Sequence, residues 1–311
     1  MSCAQFYFSA MKGWSALLLL AGIFVQNVIA AENNDAAGGA NKFVQVKNWV
    51  RASKPVLKKY EEPKPNRTSK ASISAFIING RKAKAKEFPS QVAIVMDSEN
   101  FCGGSLITEY HVLTAAHCIE PFSKFEVRLG ALNREKGEDH IFTEDAIYHE
   151  KYDPKELNND IGILYLPKTV KFTSAVKKTA IATMSQTNRL LQKGMQIIAT
   201  GWGKDSDRSE SIVSILKTSN LRVLNGMDCI LTYGRASFNA SSKICAIGIN
   251  GGSTCQGDSG GPISVKENNV MFQVGIISFG STLGCEARQP EVITKVASYR
   301  SWIITNTGIE I

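Results

Sequence analysis

The sequence contains one long hydrophobic run, at its N-terminus, and lacks a second. Apolar residues fill positions 14–25, with Lys12 before them and small residues before a cleavage position at Ala31. The run is about half the length of the roughly 20 residues that a membrane-spanning helix needs. The pattern therefore predicts a signal peptide at residues 1–30 and a secreted, extracellular protein without a membrane anchor.

Cys-x-x-Cys motifs and close Cys/His clusters are also absent, which argues against a metal site. Six of the seven cysteines lie between Cys102 and Cys285, and Cys3 belongs to the predicted signal peptide. An even number of cysteines in an exported chain favours three disulfides. We therefore predict a disulfide-bonded protein with no metal and no cofactor.

Most of the chain has no large excess of basic residues, although the formal net charge of the whole sequence is +8. Residues 32–76 hold nine Lys/Arg against four Asp/Glu, and Lys12 adds one positive charge, which leaves only +2 for residues 77–311. Nucleic-acid binding by that region is therefore not expected. Residues 31–76 are rich in proline and polar side chains, a composition that predicts a flexible basic pro-segment.

The character of the sequence changes at Ile77, where short runs rich in Val, Ile and Phe begin, separated by turn residues. This pattern predicts β-strands, among them residues 91–96, 125–129, 196–200 and 270–279, and a helix near the end at residues 297–305. A unit of about 235 residues with this pattern, residues 77–311, is typical of an all-β fold of the sandwich or barrel type.

A glycine-rich stretch at residues 255–262 contains the first candidate catalytic residue. Ser259 lies among three glycines, with Asp258 directly before it. Because glycine permits tight turns and close approach of another backbone, the hydroxyl of Ser259 can point outward. The amides of Gly257 and Ser259 are candidates to stabilise a developing oxyanion. A serine nucleophile also requires a base and a group that orients the base.

Two further segments carry candidates for those roles. His117 lies between small residues and Cys118, whereas the other three histidines are interpreted as structural. Asp160 stands at the head of the apolar run 161–166, where a carboxylate that enters a core should be paired or functional. Taken alone, Asp160 fits a simple turn aspartate better, because Asn-Asp pairs favour turns.

Five motifs in one order resemble those of the chymotrypsin/trypsin-like serine endopeptidases. They are residues 101–107, 113–118, 158–166, 201–203 and 255–262. The order His, Asp, Ser fits that family and not the α/β-hydrolases or subtilisins. The resemblance, which spans residues 77 to about 305, implies two packed six-stranded antiparallel β-barrels with a short C-terminal helix and an active site in the cleft between them.

The resemblance also implies the catalytic roles. His117 would be the general base and later the acid, Asp160 would orient it, and Ser259 would attack the peptide carbonyl. The amides of Gly257 and Ser259 would form the oxyanion hole. The implied disulfides are Cys102–Cys118, Cys229–Cys245 and Cys255–Cys285.

Residues 77–80 resemble the start of the mature enzymes of this family, which implies a zymogen. A cut before Ile77 would free an α-amino group that pairs with the buried carboxylate of Asp258. The residue before the cut is Phe76, where the family has Arg or Lys. Three alternatives follow: an activating protease that prefers aromatic residues, such as another copy of the chain, further trimming after a first cut, or rare activation.

Specificity is read from four positions that match the family's motifs. Ser278 and Gly280 belong to the segment that lies beside the substrate backbone, and Ser253 stands where trypsin-like enzymes have Asp, which favours aromatic side chains. Glu291 replaces a glycine of the pocket wall, as in the related enzyme cathepsin G, and a carboxylate there would attract Lys or Arg. The alternative is that Glu291 turns to solvent.

The sequence therefore predicts a secreted serine endopeptidase made as a zymogen, with a chymotrypsin-like or mixed aromatic/basic preference. Its expected partners are polypeptide substrates, an activating protease and protein protease inhibitors. Asn66 and Asn239 begin glycosylation sequons. The alternative is a non-catalytic, protease-like regulatory or binding protein, which the departures at Phe76 and Glu291 favour and the complete set of three catalytic candidates opposes.

Overall fold

The computed structural model describes residues 78–309. The predicted signal peptide and pro-segment, which include Asn66 and Phe76, lie outside the described residues, and so does Ile77. No helix in the described range has the length and apolar character that a membrane crossing requires.

Strands dominate the described residues, and the helices are short. The strands are β1 (Arg81–Lys82), β2 (Gln91–Met96), β3 (Asn100–Leu106), β4 (His111–Thr114), β5 (Phe125–Leu129), β6 (Asp139–Thr143), β7 (Ala146–Tyr148), β8 (Gly162–Tyr165), β9 (Ala180–Ile181), β10 (Gln196–Gly201), β11 (Lys217–Val223), β12 (Lys243–Gly248), β13 (Pro262–Glu267), β14 (Val270–Phe279) and β15 (Glu291–Lys295). The α-helices are α1 (Met184–Leu190), α2 (Gly226–Tyr233) and α3 (Arg300–Thr307).

The N-terminal half forms an antiparallel sheet in the order β6-β5-β2-β3-β4-β8-β7. β6 and β7 are consecutive strands at its two ends, the first paired with β5 and the second with β8, so residues 139–148 link both edges of the sheet. In β5, Phe125, Val127 and Leu129 are buried, whereas the two residues between them are partly exposed. Because side chains alternate along a strand with a period of two, every second side chain of β5 points into the core.

The C-terminal half forms a closed barrel of six strands. Their order is β11-β10-β13-β14-β15-β12, and β12 pairs again with β11 to close the ring. Closure leaves none of these six strands with an unpaired edge. β1 adds to β11, and β9 joins β14 as a short parallel strand. The predicted all-β fold is confirmed, with one difference: the C-terminal half is a closed six-stranded barrel, whereas the N-terminal half is a seven-stranded half-barrel and not a second six-stranded barrel.

The elements predicted from local patterns lie close to where they were expected. β2, β5 and β14 have the predicted bounds, and β10 extends the predicted strand by one residue to Gly201. The C-terminal helix begins at Arg300, later than predicted, because Val296–Tyr299 forms a tighter 3-10 turn before it. Ile303 of α3 is buried in the core of the N-terminal sheet, so the end of the chain packs back onto the first half.

Three disulfides join the pairs that the resemblance implied. They are Cys102–Cys118, Cys229–Cys245 and Cys255–Cys285. The first ties β3 to the turn after β4, the second ties α2 to β12, and the third ties the Ser259 loop to the 3-10 turn at Cys285–Ala287. The prediction of a disulfide-bonded domain is confirmed.

Removal of the Cys229–Cys245 disulfide should destabilise the fold. The two cysteines are 16 residues apart, and a cross-link of that span stabilises by about 3 kcal/mol through the unfolded chain. We expect the Cys229→Ala/Cys245→Ala variant to lose about that free energy of unfolding in a urea titration. Met227→Ala, at an exposed position of the same helix, is the control. An unchanged urea midpoint for the double variant would contradict the prediction.

Candidate active site

Asp160 is a fully buried carboxylate two residues before the start of β8. Its Oδ1 accepts a hydrogen bond from the backbone N–H of His117 at 3.0 Å, and its Oδ2 lies 2.8 Å from His117 Nδ1. The hydroxyl of Ser278 donates to the same Oδ2 at 2.6 Å. A buried charge must be paired and hydrogen-bonded, and these three donors meet that requirement.

His117 reaches Asp160 because the end of β4 lies beside the start of the antiparallel strand β8. The histidine lies in the 3-10 turn Ala116–Cys118 that follows β4, and β4 pairs with β8, before which Asp160 stands. The disulfide from Cys118 to Cys102 fixes this turn on β3. Two residues that are 43 positions apart in sequence are thereby brought into direct contact.

The contact shifts both pKa values. Burial alone would lower the pKa of His117, but the charge of Asp160 and their hydrogen bond raise it above its ordinary value. Burial alone would raise the pKa of Asp160, but His117 and the hydroxyl of Ser278 lower it below its ordinary value. Because an ionised carboxylate only accepts hydrogen bonds, Nδ1 of the imidazole carries a proton and Nε2 remains the basic nitrogen.

The Ser259 loop is a tight turn pressed against the N-terminal sheet. Gly257 and Gly260 have φ values of +97° and +77°, a left-handed conformation that favours glycine. A Cβ on Gly260 would lie 2.2 Å from Thr114 Oγ1, so this position has no room for a side chain. The backbone N–H of Gly103 donates to the carbonyl of Ser259 at 2.8 Å. The loop is therefore held beside the segments that carry His117.

The reactive groups of this loop are not engaged by the protein. Within residues 78–309, the hydroxyl of Ser259 makes no hydrogen bond, and the amides of Gly257 and Ser259 donate to no acceptor. Ser259 and His117 are thus not hydrogen-bonded to each other in this structure. Such contacts are often long in enzymes without substrate and tighten when substrate binds.

Asp258 is buried beneath the same loop. Its Oδ1 accepts from the amide of Gly203 at 2.7 Å, and its Oδ2 accepts from the amide of Cys255 at 2.9 Å. Burial nevertheless raises the pKa of Asp258 to about 7, because these hydrogen bonds do not compensate fully for the lost solvation. The amide of Ser253 donates to the carbonyl of Ile78 at 3.1 Å, which holds the first described residue beside this region.

Glu291 is a third buried carboxylate, at the start of β15. Its Oε1 accepts from Ser253 Oγ and from the amide of Thr254, both at 2.9 Å, and its Oε2 accepts from Thr254 Oγ1 at 2.7 Å. Burial raises the pKa of Glu291, although the hydrogen bonds from Thr254 and Ser253 oppose the rise. The alternative that Glu291 turns to solvent is wrong, because its residue is only 4% exposed.

Two contacts in this region were missed by the sequence reasoning. Ser278 was assigned to the substrate backbone, but its hydroxyl also donates to Asp160. Thr254 was not singled out, although it binds both carboxylate oxygens of Glu291. Its place directly after Ser253 was the only signal in the sequence. Gly280, the remaining predicted specificity residue, is exposed, and a Cβ there would meet no atom within 4 Å.

Groups of side chains with metal-binding atoms occur twice among the described residues. One combines His117 with Cys102 and Cys118, and the other combines Asp207 with Cys255 and Cys285. All four cysteines are in disulfides. Neither group therefore offers the thiolate ligands that a metal would require.

Comparison with known proteins places this arrangement in a family. The Trypsin family model matches residues 77–303. Brachyurin of Leptuca pugilator is 36% identical over 236 residues, a match that covers 75% of this chain and 99% of brachyurin. Chymotrypsin of Phaedon cochleariae is 32% identical over 237 residues, with 74% and 82% covered. The solved structure of HL collagenase matches with a TM-score of 0.68 and 31% identity, covering 75% of this chain and all of that chain.

The family match covers the described strands and all three disulfides. It includes the segments around His117, Asp160 and Ser259. Brachyurin is similar over nearly its whole length, so the likeness concerns a complete protease domain and not an isolated motif. The chain belongs to the trypsin family of serine endopeptidases.

Proposed function

We propose that this endopeptidase hydrolyses peptide bonds through Ser259, His117 and Asp160. The observation that carries the proposal is the 2.8 Å contact between His117 Nδ1 and the fully buried Asp160 Oδ2. This contact fixes the tautomer in which Nε2 is basic, which is the form that a general base requires. The unbonded hydroxyl of Ser259, on a loop anchored to Gly103, supplies the nucleophile.

The proposed reaction has two steps. Nε2 of His117 takes the proton of Ser259 as its Oγ attacks the substrate carbonyl carbon, and then gives that proton to the leaving amine as the C–N bond breaks. The amides of Gly257 and Ser259 donate to the oxyanion of the tetrahedral intermediate. In the second step, His117 takes a proton from water as the water oxygen attacks the acyl-enzyme ester, and it returns that proton to Ser259 Oγ as the ester C–O bond breaks and the acid is released.

The enzyme is proposed to be made as a zymogen that is cut between Phe76 and Ile77. The raised pKa of Asp258 supports this proposal. Burial disfavours the ionised form of this carboxylate, so a new cationic partner would stabilise that form strongly. Ile78 lies against Ser253, so the α-amino group of Ile77 would be released close to this region. Pairing with Asp258 would fix the loop that carries the oxyanion amides.

A mixed preference for aromatic and basic residues is proposed for the specificity pocket. Ser253 leaves room for a large apolar side chain, as in chymotrypsin-like relatives. Glu291 adds a carboxylate that contacts Ser253 Oγ and is therefore part of the same pocket wall. Its hydrogen bonds come from hydroxyls and one amide, so a Lys or Arg of the substrate would be its first cationic partner in this wall.

The proposal has three further parts. The chain is exported through the predicted signal peptide, its domain bounds are 1–30, 31–76 and 77–311, and it is glycosylated at Asn66 and Asn239. Asn239 lies on an exposed turn, which suits a glycan. The expected partners are polypeptide substrates, an activating protease and protein protease inhibitors. Family membership and the His117–Asp160 contact favour this enzyme over the non-catalytic binding protein.

Labelling with a fluorophosphonate probe tests the nucleophile and the activation step together. We expect the full chain to be labelled weakly, and the chain cut before Ile77 to be labelled at Ser259, because in the proposal Asp258 gains the partner that fixes the oxyanion amides only after the cut. Ser259→Ala is the matched control and should not be labelled. Correctly cut protein that remains unlabelled would favour the non-catalytic alternative.

The pH dependence of activity tests the role of His117. Its neutral form is the base, and Asp160 holds its pKa above the ordinary value of about 6.5. We therefore expect kcat/KM to be lost as pH falls through a pKa higher than about 6.5. Asp160→Asn should lower that pKa and reduce kcat on the order of 10⁴-fold. An acid limb below pH 6 in the unchanged enzyme would count against this assignment.

Substitution of Glu291 tests the proposed basic specificity. Glu291→Gly should abolish cleavage after Lys and Arg, because the pocket loses its only proposed charge, and it should retain cleavage after Phe. Glu291→Gln, which keeps the shape and removes the charge, should lower kcat/KM for Lys substrates by about 100-fold. Peptide-library profiling of the cut enzyme measures both. Basic cleavage that survives in both variants would refute the role of Glu291.

A further inference from the structure

Lys243 is a buried lysine behind the candidate active site. It begins β12 and is only 2% exposed. Its Nζ donates to the carbonyl oxygens of Ser237 at 2.6 Å and Glu156 at 3.1 Å, and it lies 5.3 Å from the centre of the Phe279 ring. The three N–H groups of one ammonium are thus matched by two carbonyls and one aromatic face.

The charge of Lys243 is retained at neutral pH. Burial lowers its pKa to about 8, and the carboxylates of Asp160, Glu156 and Asp153 oppose that fall. A buried ammonium would be costly without hydrogen bonds and nearby negative charge. Methionine or leucine would fill the same space without the free-energy cost of burying a charge. The presence of lysine therefore indicates that its polar contacts have a specific role.

Lys243 joins two loops that meet beside Asp160. We call them the first loop (residues 153–158) and the second loop (residues 234–241). Asn158 Nδ2 donates to the carbonyl of Ala236 at 3.1 Å, and Ser237 Oγ donates to Glu156 Oε2 at 2.6 Å. The ammonium of Lys243 binds one carbonyl from each loop, at Glu156 and Ser237. It therefore cross-links the loop that leads directly into Asp160 to its neighbour.

The contact between Lys243 and the Phe279 ring connects the same lysine to a second segment that contacts Asp160. Phe279 directly follows Ser278, whose hydroxyl donates to Asp160. The ring of Phe279 is partly exposed and packs edge-to-face on Tyr233 at 5.3 Å between centroids. Lys243 and Tyr233 therefore both contact this ring, which also packs against the buried cluster of Cys229, Phe238, Cys245 and Val292.

We propose that Lys243 is a positioning residue for extended peptide substrates, because it holds Phe279 and the first loop as one wall beside Asp160. The inference rests on the proposed function, in which residues 278–280 lie beside the substrate backbone. Substrate residues N-terminal to the cleaved bond would pack on the exposed face of Phe279. A substrate with a single residue before the bond would not reach this wall.

The test compares long and short substrates of the cut enzyme. We expect Lys243→Met to lower the ratio of kcat/KM for a tetrapeptide amide to kcat/KM for a single-residue ester by about tenfold, mostly through a higher KM. Lys243→Gln retains donors for both carbonyls and removes the charge under Phe279, so it tests the aromatic contact if the methionine variant fails to fold. It should lower the same ratio.

Lys295 provides a matched control. Its Nζ donates to the carbonyl of Ala240 in the second loop, and β15 carries it next to β12. Lys295→Met should leave the long-to-short ratio at the wild-type value. In a double-mutant cycle with Phe279→Ala, the effect of Lys243→Gln should shrink, because the two residues act on the same substrate contact.

The outcomes separate the two proposals. Wild-type enzyme that is cut before Ile77 and is not labelled by a fluorophosphonate would overturn the proposed function. Wild-type enzyme that is labelled and cleaves peptides, with a long-to-short ratio that neither Lys243 variant changes, would overturn the role of Lys243 alone. Full additivity with Phe279→Ala would also overturn it.

Discussion

The active site depends on the solvation of one buried carboxylate. Asp160 has no contact with water, and it is stabilised by donors from His117 and Ser278, with the hydroxyl of Thr294 bound to its backbone carbonyl. These donors come from both halves of the fold. Burial of an ionised group costs free energy unless its hydrogen-bond partners are in place. The packing of the two halves of the fold and the orientation of the His117 imidazole therefore depend on each other.

Three buried carboxylates in one region differ in their hydrogen-bond partners and in the shifts of their pKa values. Asp160 faces an imidazole and stays ionised, whereas the hydrogen bonds that Asp258 accepts from residues 78–309 come from backbone amides and its pKa rises to about 7. Glu291 is held by two hydroxyls and an amide, and burial raises its pKa as well. The differences follow from the hydrogen-bond partners: among residues 78–309, Asp160 is the one of the three that is hydrogen-bonded to a side chain able to carry a positive charge.

Local sequence patterns predicted the elements that depend on near neighbours. The alternation of residues 125–129 predicted β5, because burial on one face of a strand follows a period of two. The glycines around Ser259 predicted a tight loop, and the positive φ values of Gly257 and Gly260 confirm it. The resemblance added the disulfide pairing, which spacing alone left open.

The sequence by itself determined the strands, the cysteine pairs through the family resemblance, and the candidate residues for the chemistry. Only the tertiary structure decided which groups meet: Ser278 on Asp160, Thr254 on Glu291, and Lys243 between two loops and the ring of Phe279. The reason is that strand periodicity acts over a few residues, whereas these contacts join positions as far as 118 residues apart. Such contacts exist only after the strands have paired and the two halves of the fold have packed together.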